Sequence, residues 1–83
     1  MNNTPISDNA LREMLATTME IDQDFAPDTI VNNIMQGAFL ATLIGSSPTQ
    51  YLRVASSVLR TMGLRKQADT LKVEYMALVN ADE

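Results

Sequence analysis

The sequence predicts a small all-α domain built from four helices. Helix-favouring residue types, chiefly Ala, Leu, Met, Gln and Arg, are abundant, whereas β-branched residues are scattered and form no alternating runs. Apolar residues recur at helical spacing in four segments, near residues 7–20, 27–44, 48–62 and 65–80. At 83 residues the chain is long enough for one domain, which we assign to 1–83, and too short to bury a large core.

The first helix has an ordinary one-sided pattern. Residues 1–6 are polar and contain Pro5, so we expect an extended lead-in. Ser7 is a good N-cap residue, and Leu11, Leu15 and Met19 then fall on one helical face. The segment therefore predicts a helix that packs against the domain along one stripe.

An acidic connection leads to the second helix. Asp22, Asp24 and Asp28 have the spacing of the first ligands of a calcium loop. The glycine and the final bidentate acid that such a loop requires are missing at the matching positions. We therefore interpret the acids as partners for the positive end of the next helix and expect no metal site.

The second helix is the most unusual segment of the sequence. It begins at Pro27, a residue suited to the first helical position, and its first half has a polar side. Beyond Gly37 that polar side is replaced by Phe39, Leu40 and Leu43. A helix that is apolar all round must be surrounded, so we expect it to be central and to require a partner.

Small residues recur every fourth position along the same helix, at Gly37, Ala41 and Gly45. Such spacing lets another helix approach closely. The neighbour could be a helix of the same chain, or a second copy or another protein, and the sequence leaves both open. The predicted protein interface comprises Gly37, Phe39, Leu40, Ala41, Leu43 and Gly45.

The third and fourth helices are predicted to form a C-terminal αα-hairpin. Ser47, Pro48 and Gln50 supply an N-cap, a first-turn proline and a capping-box partner for helix three. Gly63 suits the C-cap that ends it, and the fourth helix follows almost at once. With a connection this short, the two helices must be antiparallel neighbours, and residues 80–83 form a frayed acidic tail.

The charges are divided between the two halves of the chain. The net charge is −4, most acids precede residue 47, and most bases follow it. Arg53, Arg60, Arg65 and Lys66 form a basic face, which we expect to meet an acidic partner in the same chain or in another.

The composition argues against an enzyme. The chain has no Cys and no His, so it lacks the commonest nucleophile–base pairs and metal ligands. No glycine-rich phosphate loop is present, and we predict no catalytic residues, no cofactor and no small-molecule substrate. The methionines, including Met14, Met19, Met35 and Met62, are expected to fill the core.

Two functional interpretations remain. The first is a small protein-interaction or self-assembly module, a homo-oligomer or an obligate structural subunit of a larger assembly. The alternative is a helix-turn-helix-like DNA-binding regulator that uses helix 48–62, although the acidic net charge makes nucleic acid the less favoured partner. Without a signal-peptide pattern or a membrane-length apolar run, we expect the cytoplasm.

Overall fold

The computed structural model describes residues 5–21 and 24–81, which contain four α-helices and no strand. Helix α1 spans Asp8–Ile21, α2 Pro27–Phe39, α3 Pro48–Thr61 and α4 Arg65–Ala81. The all-α class and the number of helices are therefore confirmed for this part of the chain. Most of the expected lead-in (1–4), the end of the tail (82–83) and Asp22 of the calcium-like pattern lie outside the described residues.

Helix α1 begins as the sequence predicts. The Ser7 hydroxyl oxygen accepts a hydrogen bond from the Ala10 backbone N–H at 3.1 Å, which satisfies one of the free donors of the first turn. Leu11, Leu15 and Met19 are buried, and the residues between them are exposed. The helix therefore rests on the domain through a single stripe.

Helix α2 is shorter than predicted. It ends at Phe39, and after Leu40 the chain continues as a 3-10 helix over Ala41–Ile44. The Leu40 N–H already donates to the Gly37 carbonyl and the Leu43 N–H to the Leu40 carbonyl, each at 3.0 Å, so the bonding tightens to three residues. This tighter turn buries Ala41, whose carbonyl accepts from the Ser46 N–H. The expectation of a continuous helix to residue 44 is therefore wrong in its last turn.

Gly45 ends the 3-10 helix in the left-handed conformation, with φ at 82°. Glycine is the residue type that most readily adopts this conformation at a helix end. The Gly45 carbonyl accepts a hydrogen bond from the Ile6 N–H at 3.0 Å. The segment before α1 is thus joined to the turn that precedes α3.

The ends of α3 follow local sequence signals. The Ser47 hydroxyl accepts from the Gln50 N–H at 3.0 Å, and Pro48 occupies the first turn. Gly63 adopts a φ of 85°, and the Leu64 N–H donates to the Leu59 carbonyl at 2.9 Å, the bond expected of a Schellman cap.

The side chain of Gln50 has a different role from the predicted one. Its amide donates to the Ile6 carbonyl and to Asp8 Oδ1, both at 2.9 Å, where a capping box would direct it back to the start of α3. Gln50 therefore joins the first turn of α3 to the first turn of α1, a contact between distant parts of the sequence that no local pattern indicates.

Helix α3 makes extensive contacts with each of the other three helices, the largest of them with α4. Its buried residues include Leu52, Val54 and Leu59. The connection to α4 takes only residues 62–64. Ser56, which is also buried on α3, donates from its hydroxyl to the Ala68 carbonyl of α4 at 2.8 Å.

The expectation that the methionines fill the core holds only in part. Met19 is fully buried and Met35 packs against the core, but Met14 and Met62 are exposed. Met14 lies beside the buried stripe of α1, between Leu11 and Leu15, and Met62 is the C-cap residue of α3, where the chain is leaving the helix. Helical spacing placed both residues at the edge of an apolar face, which the neighbouring helices do not fully cover.

Candidate protein-interaction surface

A group of large apolar side chains is exposed where α2 gives way to the 3-10 helix. Phe39 is 83% exposed, Leu40 62% and Leu43 80%, and Ile44 beside them is also exposed. We call Phe39, Leu40, Leu43 and Ile44 the apolar corner. Exposure of this kind is unusual in a soluble monomer when the residues are adjacent.

The apolar corner separates two grooves with mostly apolar walls. One groove, of about 240 Å³, runs between α1 and the end of α2, and Met14, Leu40 and Ile44 line it. The other, of about 260 Å³, lies between α2, α3 and α4, and its lining includes Phe39 and Leu78. The apolar surface therefore extends from the corner in both directions.

The structure places the six predicted interface residues in two groups. Phe39, Leu40 and Leu43 are exposed, whereas Ala41 is almost completely buried. Gly37 and Gly45 are half-buried, and both have neighbours within the chain. In the sequence the small residues and the large apolar residues look like one feature. In the fold they lie on different surfaces.

The neighbour of Gly37 is Tyr51 of α3. A Cβ placed on Gly37 would lie 2.6 Å from the Tyr51 hydroxyl oxygen, closer than such atoms approach in proteins. Partial burial of this hydroxyl raises the pKa of Tyr51. The sequence left open whether the neighbour of the small residues is a helix of the same chain or of another. At Gly37 the neighbour is α3 of the same chain.

Sequence analysis missed several residues of this surface. The predicted interface leaves out Ile44, which is the last residue of the 3-10 helix and is exposed. Met35 and Leu78, which the predicted interface also leaves out, line the second groove. A signal for Ile44 existed, since four of the six residues from Phe39 to Ile44 are large and apolar, more than one buried stripe requires.

The predicted basic face is divided by pairing within the chain. Arg53 donates from Nη2 to Asp8 Oδ1 at 3.1 Å, and Arg60 donates from Nη2 to Asp69 Oδ1 at 2.9 Å. Hydrogen bonds from Arg53 and then from Gln50 hold the pKa of the Asp8 carboxyl below its usual value. Arg65 is exposed at the start of α4.

These contacts also bear on the DNA-binding alternative. Four polar side chains of helix 48–62 are hydrogen-bonded within the chain, those of Gln50, Arg53, Ser57 and Arg60. The Ser57 hydroxyl accepts from Arg12 Nη1 at 2.8 Å. A duplex would therefore compete with contacts that the fold already makes.

Across residues 5–21 and 24–81, no three His, Cys, Asp or Glu side chains are grouped so as to hold a metal ion. Within the same residues, no helix has both the length and the apolar content needed to cross a membrane. Comparisons with protein-family models, with curated proteins and with solved structures find no match for this chain.

Proposed function

We propose that this chain is a non-enzymatic interaction module that self-associates through the apolar corner. The observation that carries the proposal is the exposure of Phe39, Leu40 and Leu43, three adjacent large apolar side chains that the chain's own helices do not cover. Leaving each in water forgoes about 1.5–3 kcal/mol of burial free energy. A second copy that covers them would recover that free energy.

The charge pattern around the corner supports a protein partner. Residues 29–52, which include most of α2, the whole 3-10 helix and the start of α3, contain no charged side chain. The centres of protein–protein interfaces are depleted in charged residues in the same way. The nearest charges in sequence, Asp28 and Arg53, lie at the two ends of this uncharged stretch.

The shape of the surface supports a second copy as the partner. A stable interface takes about 800 Å² from each side, more than three side chains can supply. The groove between α2, α3 and α4 adjoins Phe39 and has an apolar lining, so the Phe39 ring of one copy can enter the groove of another. Such a contact is reciprocal and closes as a two-fold dimer.

Two features of the predicted architecture belong to this proposal: the central position of α2 and the hairpin formed by α3 and α4. In a dimer formed at the corner, α2 is covered on both sides and becomes the central helix of the assembly. The hairpin of α3 and α4 then acts as the support that holds α2 in position. DNA binding by helix 48–62 has less support, because the chain carries a net charge of −4.

Analytical ultracentrifugation with a matched pair of variants tests the proposal. Wild type is expected to sediment above its monomer mass of 9.1 kDa at micromolar concentration. Leu43→Lys should raise the dissociation constant by about tenfold to a hundredfold, since it removes a buried leucine and adds a charge to the contact. Val73→Lys, at another exposed apolar position, is the control and should leave it unchanged.

Two outcomes would contradict the proposal. One is a wild type that remains a 9.1 kDa monomer over the whole concentration range. The other is an equal loss of association in both variants, which would mean that added charge, and not the apolar corner, controls the assembly. Circular dichroism of each variant confirms that the helices are retained.

A further inference from the structure

A second surface of the molecule has the opposite character to the apolar corner. A shallow hollow of about 360 Å³ lies between α3 and α4, and most of its accessible lining is polar. Three cations and three hydroxyl groups line it: Arg53, Ser56, Ser57, Arg60, Lys72 and Tyr75. No carboxylate is among its lining residues, and it shares no residue with the apolar corner.

The hollow differs from the basic face that the sequence suggests. Arg53 and Arg60 belong to both, but Arg65 and Lys66 are not part of the hollow. Lys72 and Tyr75 of α4 take their place, because the packing of α4 on α3 brings these two residues beside the arginines. Only the tertiary structure brings the three cations together.

The two arginines are held in position by carboxylates outside the hollow. Each guanidinium uses one nitrogen, Nη2, for its carboxylate partner, Asp8 for Arg53 and Asp69 for Arg60. A guanidinium has five N–H donors, so most of them remain available to a ligand. Within the described residues, Lys72 has no carboxylate partner at ion-pair distance.

We propose that this hollow binds a phosphate dianion, free or as a monoester. A partner's carboxylate would carry a single charge and would compete with Asp8 and Asp69, which have the advantage of belonging to the same chain. A phosphate monoester carries about −1.5 to −2 at pH 7 and offers three acceptor oxygens, enough for the three cations at once. The hydroxyls of Ser57 and Tyr75 add neutral donors beside them.

Titration followed by amide NMR tests this site directly. Inorganic phosphate, phenyl phosphate and acetate are added separately to the full chain at matched ionic strength. We expect saturable shifts at the lining residues with both phosphates and none with acetate. At about pH 8.5, where both phosphates are dianions, tighter binding of phenyl phosphate would favour a monoester as the ligand, and equal binding would show that the ester group makes no contact.

A matched pair of variants separates the site from general electrostatic attraction. Lys72→Gln should weaken phosphate binding about threefold to fivefold, as loss of one exposed ionic contact implies. Arg65→Gln removes the same charge from the same helix outside the hollow and should leave the affinity nearly unchanged. Both variants keep a good helix former at the substituted position, so folding is not at risk.

Three results would overturn the proposal. The first is no saturable response to either phosphate, and the second is an equal response to acetate, which indicates screening alone. The third is binding of a DNA duplex at low salt without binding of either phosphate. That result would instead assign the arginines to a nucleic-acid backbone.

Discussion

A Cβ on Gly37 of α2 would lie 2.6 Å from the Tyr51 hydroxyl oxygen and 3.1 Å from Cζ of the same ring. The Tyr51 side chain therefore covers residue 37 so closely that any larger residue there would displace the ring. Glycine within a helix costs about 1 kcal/mol relative to alanine. The contact with Tyr51 is the structural reason for retaining it.

This relationship predicts that the effect of Gly37→Ala depends on residue 51. In wild type, the gain of about 1 kcal/mol in helix propensity should be offset by displacement of the Tyr51 ring, leaving stability unchanged or reduced. In a Tyr51→Phe background the closest atom is gone, although Cζ remains at 3.1 Å, so Gly37→Ala should be more favourable there than in wild type by up to about 1 kcal/mol. Urea denaturation of the four proteins measures this coupling. Equal effects in the two backgrounds would contradict it.

A larger side chain at the same position extends the test. Leu is a better helix former than Gly, yet Gly37→Leu should destabilise the domain by about 1–3 kcal/mol through overpacking against Tyr51. A midpoint higher than that of wild type would mean that the ring moves aside at no cost. Thermal or urea unfolding gives the answer.

The buried hydrogen bond between α3 and α4 gives a second prediction. Ser56 donates to the Ala68 carbonyl at 2.8 Å, and both residues are buried. Ser56→Ala should lower the unfolding free energy by about 1 kcal/mol despite the better helix propensity of alanine. Ser57→Ala is the control. It removes the more exposed bond from Arg12 and should cost less than about 0.5 kcal/mol. Similar losses in both variants would argue against a special role for the buried bond.

The carboxyl of Asp8 gives a prediction about pH. Its pKa lies below the usual 3.8, chiefly because Arg53 and then Gln50 hydrogen-bond to the ionised form. A lowered folded-state pKa means that the stabilisation is fully present above pH 3.8 and is lost as the pH falls through the folded value. Arg53→Gln should move the Asp8 pKa back towards 3.8, whereas Arg60→Gln should not. NMR titration of the side-chain carboxyl carbon measures both, and an unchanged pKa in Arg53→Gln would contradict the assignment.

These contacts indicate which parts of the structure a sequence can predict. Ser7, Ser47 and Gly63 mark helix ends because a cap is a contact between residues a few positions apart. The end of α2 has no such local marker before Gly45. The break at Leu40 accompanies the burial of Ala41 and the bond from Ile6 to Gly45, which are tertiary effects.

The sequence likewise indicates one of the two candidate surfaces better than the other. An apolar excess was visible at Phe39, Leu40 and Leu43, and the structure leaves these three exposed. The partners of the arginines were not visible, since Asp8 is 45 residues from Arg53 in sequence. Asp69 of α4 pairs with Arg60 of α3, because the packing of the two helices brings these side chains together.

The last prediction concerns the geometry of self-association. In a two-fold dimer formed at the apolar corner, the same patch of both copies faces the contact, so the two copies of Leu43 should lie within reach of a short cross-linker. The chain contains no cysteine, so a single introduced thiol reports on this distance without interference. Leu43→Cys should give a covalent dimer in high yield with a short bifunctional maleimide at micromolar protein concentration.

The matched control is Val73→Cys, an exposed apolar position on α4 outside the corner. It should give little covalent dimer under the same conditions, and dilution below the dissociation constant should abolish the Leu43→Cys product. Equal yields from the two positions would mean that the thiols meet by random collision. A dimer by sedimentation that cross-links through Val73→Cys alone would place the interface on α4 and contradict self-association through the apolar corner.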